Sequence, residues 1–143
     1  MNLHTDFFYV NKKPFLLTKS SKINFHSVQS GKTRHKGNII SGIKNVIDVY
    51  TKRGFIVDTL HGDNEFDIDD LRSAIRPTNL LIRGNNEHDG TIERTIRTVK
   101  ERCRATVNSA PFLRYPKIMV NALVEGMIYW LNALEKRTES HLH

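Results

Sequence analysis

The chain has 143 residues, 38% of them hydrophobic and 26% charged, with 22 Lys and Arg against 15 Asp and Glu. That length supports one hydrophobic core and excludes a multidomain chain, and the apolar content excludes a disordered tail. The formal charge of +7 points to a polyanionic partner, the single cysteine excludes an internal disulfide, and no apolar run approaches the ~18 residues of a membrane span.

In chain order, Thr5 to Val10 is aromatic and β-branched and predicts a strand. Asn11-Lys12-Lys13-Pro14 predicts a turn, and Phe15 to Thr18 the antiparallel return. Alternation of apolar and polar residues over Ile23 to Val28 predicts a third strand and completes a meander. Gly31 to Gly37 reads as a basic loop. Ile39, Ile40, Ile43, Val46, Ile47 and Tyr50 then recur at helical spacing up to Gly54, a C-terminal stop. Phe55 to Leu60 is nearly continuous apolar, as in a strand covered on both faces, and sets Asp63 just beyond its C-terminal end. Asp67 to Ile75 predicts a short helix with acids in its first turn, Leu80 to Ile82 a brief strand, and Gly84 to Gly90 a polar loop. A long helix capped by Asp89 or Thr91 buries Ile92, Ile96, Val99, Cys103 and Val107 and closes at Pro111. The last helix, Pro116 to Leu134, buries Met119, Leu123, Met127, Trp130, Leu131 and Leu134. Residues 1–136 form the domain and 137–143 a frayed tail in which His141 and His143 are incidental. This order predicts an α/β fold: a mixed five-stranded sheet, with a three-strand antiparallel meander plus parallel strands, flanked by helices.

The charge is uneven. Phe7 to Ile47 holds eight Lys and Arg and no acid, whereas Asp58 to Asp70 holds six acids and no Lys or Arg. One reading is a solvated acidic loop and a solvated basic helix face. The other is a phosphate-binding surface with a cation site set into it, since carboxylates can hold divalent ions that face phosphates. Asp6 in the first strand, Asp63 at the end of the fourth and Glu93 in the first turn of the long helix are its candidate ligands, because strand ends and helix starts present side chains at one sheet edge. Arg94, Arg97, Lys100 and Arg104 follow Glu93 on the same helix, and Lys12 and Lys13 sit on the first hairpin; these are the candidate nucleic-acid contacts. Glu65 reads as a turn residue, His61 and His88 as ordinary polar residues rather than zinc ligands, Cys103 as an inert core thiol, and Trp130 with the methionines as core.

Asp6-Phe7-Phe8-Tyr9-Val10-Asn11-Lys12-Lys13-Pro14-Phe15, then Asp63-Asn64-Glu65-Phe66, then Ile92-Glu93-Arg94-Thr95-Ile96-Arg97-Thr98-Val99-Lys100-Glu101-Arg102 resemble the catalytic core of retrotransposon integrases, copia-like elements above all, from about Thr5 to Leu134. The resemblance implies a ribonuclease H-like three-layer fold, with Asp6, Asp63 and Glu93 as a D,D,E set holding two Mg²⁺ or Mn²⁺ ions. It also implies DNA as partner, phosphodiester cleavage with transfer of 3′-hydroxyls to target DNA, and action as a homo-oligomer. Two departures stand out. Only 29 residues separate Asp63 from Glu93, where roughly 35 are usual in this motif, and the Gln-Asn-Gly that often precedes the glutamate is replaced by Asn86-Glu87-His88-Asp89-Gly90. Glu93, which begins a helix, is the better third ligand than Glu87 in the loop.

The flanking zinc-binding and DNA-binding regions of that family are not in this sequence, so a truncated element is expected. With no secretory leader, its expected location is nuclear or cytoplasmic. Two rivals remain: a non-catalytic remnant that only binds nucleic acid, and a structural module whose last helices carry a dimer interface.

Overall fold

The computed structural model describes residues 1–30, 35–84, 90–109 and 116–141. Five strands form one sheet: β1 (Asn2–Val10), β2 (Lys13–Ser20), β3 (His26–Ser30), β4 (Thr59–Gly62) and β5 (Asn79–Ile82), in the order β3-β2-β1-β4-β5. The first three are antiparallel, while β1 with β4 and β4 with β5 are parallel. The meander turns at Asn11 and Lys12, whose φ values of 51° and 65° give the two-residue geometry that matches strand twist. Lys13 and Pro14 therefore belong to β2, with Val10 opposite Lys13.

Side-chain alternation along β1 divides the interior in two. Leu3 and Phe7 pack with Leu16 against α1 (Lys36–Lys52) and α2 (Asp69–Ala74), in a cluster that includes Ile39, Ile43, Val46, Tyr50, Leu60 and Leu71. Phe8 and Val10 pack with Phe15 and Leu17 against α3 (Gly90–Ser109) and α4 (Lys117–His141), through Ile92, Val99, Cys103, Val120, Val124 and Ile128. Helices thus cover both faces of a mixed sheet in three layers, as the chain order leads one to expect. The stop after α1 also matches: Gly54 takes φ 87°, and its N–H donates to the Thr51 carbonyl at 3.1 Å.

Several boundaries move. β4 covers Thr59–Gly62 rather than 55–60, because its partner β1 first pairs Asn2 with Thr59; upstream, Val57 is buried but Ile56 is 77% exposed. β3 begins at His26, since Asn24 turns through φ 49°. Thr91 lies inside α3, and Asp89 and Pro111 lie outside the described residues. The last helix differs most. Its buried stripe is Val120, Val124 and Ile128, with Leu123, Met127 and Leu131 beside it, whereas Trp130 is 59% and Leu134 42% exposed. Trp130 is therefore not core. This helix is apolar around most of its circumference, and its rotation is fixed by Asn132, whose side chain accepts from the His26 backbone N–H at 2.8 Å and donates to the His26 carbonyl at 2.9 Å. The helix also continues past residue 136 to His141.

Candidate carboxylate site and basic face

β1 and β4 run parallel with His4 opposite His61, and their rings stack at 4.6 Å with an interplanar angle of 9°. Two residues further along each strand stand Asp6 and Asp63, which the same register and pleat bring side by side on the α3 face of the sheet. β4 has ended there while β1 continues, so the pair occupies the C-terminal edge of the parallel strands. Gly62 makes the turn possible. A Cβ at that position would stand 3.0 Å from the fully buried Phe66 side chain. The Asp63 carboxylate accepts the Glu65 N–H at 3.0 Å and caps the single 3₁₀ turn Asn64–Phe66, so its backbone is held by its own side chain.

Asp6 is half-buried, and its Oδ1 accepts the Phe7 N–H at 2.8 Å. Burial, reinforced by the neighbouring Asp63 carboxylate, pushes its carboxyl up to about 6, against the opposing pull of the Phe7 N–H and the Arg83 guanidinium. Glu65 adds a smaller push in the same direction. Two adjacent oxygen donors whose mutual repulsion a cation would relieve suit a hard divalent ion. Glu93 sits exposed in the first turn of α3. Among the described residues, no group of three or more His, Cys, Asp or Glu is close enough to hold a metal ion, so Glu93 is not gathered with the aspartates. Glu87 and His88 lie outside the described residues.

The acidic stretch does not act as one site. Asp67 pairs with Arg72 at 3.3 Å and Asp70 with Lys36 at 2.8 Å, away from the aspartate pair. The basic residues of α3 are more ordered. At 100° per residue, Glu93, Arg97, Lys100 and Arg104 share an arc of about 60° and span about 16 Å of helix. The three basic side chains of that row are exposed. Arg94 lies off it, with its Nε donating to the Gly90 carbonyl at 3.1 Å. Lys100 and Arg104 line a cleft of about 210 Å³ together with Tyr9, Val10 and Asn11. The row therefore adjoins the exposed Lys12 of the β1–β2 turn; Lys13, in β2, is half-buried. Cys103 also borders this cleft, and burial pushes its thiol up to about 11, which keeps it inert at neutral pH.

Two features escape the sequence reading. His4-Thr5-Asp6 and His61-Gly62-Asp63 share a His-x-Asp spacing, a repeat that would have announced the parallel register. Arg83, one residue past β5, reaches Asp6 electrostatically, and its position right after Leu80-Leu81-Ile82 was the available signal.

The layers and strand order are those of a ribonuclease H-like α/β fold. Among solved structures, the catalytic core domain of BIV integrase is similar, with a TM-score of 0.66 and 16% sequence identity over 97% of both chains. No family model matches the chain. No curated protein matches it by sequence. Among the described residues, no helix is long and apolar enough to cross a membrane.

Proposed function

We propose that the chain is a retrotransposon integrase core of copia-like type, which cleaves DNA phosphodiesters and transfers 3′-hydroxyl ends to target DNA. The observation that carries this reading is the Asp6–Asp63 pair at the C-terminal sheet edge, with the Asp6 carboxyl raised by burial and, secondarily, by its neighbour. Asp6 and Asp63 would hold Mg²⁺ or Mn²⁺, with Glu93 as the third carboxylate. Bound ions of this kind, two in this reading, activate a hydroxyl nucleophile and stabilise a leaving oxygen. The chain's own contribution is placement. β1 and β4 fix the two aspartates, and the Arg97–Lys100–Arg104 row with Lys12 gives a track of positive charge on which a DNA backbone can lie. Similarity to the BIV integrase core supports the fold on which this reading rests.

A second reading, a nucleic-acid-binding domain without catalysis, is favoured by the position of Glu93 outside any three-ligand group among the described residues. The two separate on a branched DNA that mimics an integration product, incubated with Mn²⁺ or Mg²⁺ beside Asp63→Asn. Metal-dependent resolution of the branch that disappears in the variant supports the integrase core. Salt-sensitive binding with no turnover by either protein supports the second reading.

A further inference from the structure

Parallel pairing puts a third charged residue in line with the two aspartates. Gly62 of β4 lies opposite Ile82 of β5, and the ladder runs one step further, where the Arg83 N–H donates to the Gly62 carbonyl at 2.8 Å. Arg83 therefore stands beside Asp63, as Asp63 stands beside Asp6, giving a row Asp6–Asp63–Arg83 across three adjacent chain segments. Strands in such a row are about 4.8 Å apart, so an arginine side chain at its end is long enough to reach along it toward both carboxylates. Arg83 is half-buried, and its charge acts on the Asp6 carboxylate.

We infer that Arg83 is a positioning residue of the carboxylate site: its guanidinium is the built-in counter-ion of the Asp6–Asp63 pair, holding the two side chains together before a divalent cation arrives and competing with that cation for them. The inference rests on the cation-site reading above. A guanidinium suits the role because its charge is permanent and its planar fork can engage carboxylate oxygens from one side, leaving the other open. Such a counter-ion also restrains the site from capturing cations too tightly. In water a single positive charge about 6 Å from a dication opposes its binding by about tenfold, and salt screening lowers this toward about threefold.

The test is a double-mutant cycle run first without and then with metal. In EDTA, Arg83→Gln should lower the melting temperature, Arg83→Lys should recover much of the loss, and the loss should shrink in the Asp63→Asn background, where Asp6 alone remains for Arg83 to pair with. A purely structural arginine would cost the same in both backgrounds. Titration with Mn²⁺, followed by electron paramagnetic resonance, should then show about three- to tenfold tighter binding to Arg83→Gln than to the wild type. Additive effects of Arg83→Gln and Asp63→Asn in EDTA would overturn the inference, as would equal Mn²⁺ affinity in the two proteins. Coupling in EDTA with no Mn²⁺ bound by either protein would overturn the cation-site reading instead, and reduce Arg83 to an ordinary ion-pair partner.

Discussion

Replacing Asp6 by Asn is predicted to stabilise the protein when no divalent cation is present. The Asp6 carboxyl has its ordinary value of 3.8 in the unfolded chain and about 6 in the fold. Below the lower value both states carry the proton and the fold is not penalised. Above about 6 both have lost it, and the folded state bears the full cost of a charge set against burial and Asp63. Stability from this group therefore falls as pH rises through that window. At about 1.4 kcal/mol per pH unit the gap corresponds to roughly 3 kcal/mol. Asp6 keeps some contact with solvent, and screening there reduces the figure to about 1–2 kcal/mol. Asn retains the oxygen that accepts the Phe7 N–H, so most of this is recovered, as a rise of about 3–8 °C in melting temperature. Thermal melts in EDTA from about pH 3.5 to 8 should show the two proteins converging in acid and separating through pH 4 to 6. Burial and the nearby Lys19 hold the His26 imidazole below its usual range, with Asn132 pulling the other way. That group costs stability on acidification in both proteins, so their difference isolates Asp6. Excess Mg²⁺ should narrow the gap by stabilising the wild type alone. An Asn variant no more stable at neutral pH, or a gap indifferent to pH, would refute the reasoning.

Three further outcomes follow from the same geometry. Alanine at Arg97, Lys100 and Arg104 should weaken binding to unrelated DNA sequences alike and flatten the slope of log affinity against log salt by about 0.9 per lost phosphate contact, measured by fluorescence anisotropy. Gly62→Ala should drive a methyl against Phe66, cost about 1–3 kcal/mol in denaturant unfolding and reduce Mn²⁺ binding by displacing Asp63. Val124→Ala should cost roughly 1–3 kcal/mol, whereas Trp130→Gln, on the outer face of the same helix, should change stability by less than about 0.5 kcal/mol.

What the sequence made legible is what depends on local pattern. The aromatic and β-branched run of β1, the apolar run of β2, the 3.6-residue stripe of α1 with its glycine stop, and the helix begun near Glu93 all reappear, because each is encoded in its own residues. Asp6 within β1 and Asp63 just past β4 are legible for the same reason. Failures occur where a distant partner decides. The extent of β4 is set by where β1 starts pairing, not by the apolar run Phe55 to Leu60. In α4 two apolar stripes compete, and the hydrogen bonds of Asn132 to His26, 106 positions away, select the Val120–Val124–Ile128 face over the one bearing Trp130. Arg83 joins the site only through the β4–β5 register, which no local window contains.

The proposed function requires that Asp6 and Asp63 share a divalent cation. A crystal soaked in Mn²⁺ and measured at the manganese edge tests it most directly. Anomalous density is expected between the two carboxylates in the wild type, with Glu93 turned toward it, and should be lost in Asp63→Asn. Density elsewhere, or none between the aspartates at saturating Mn²⁺, would contradict it.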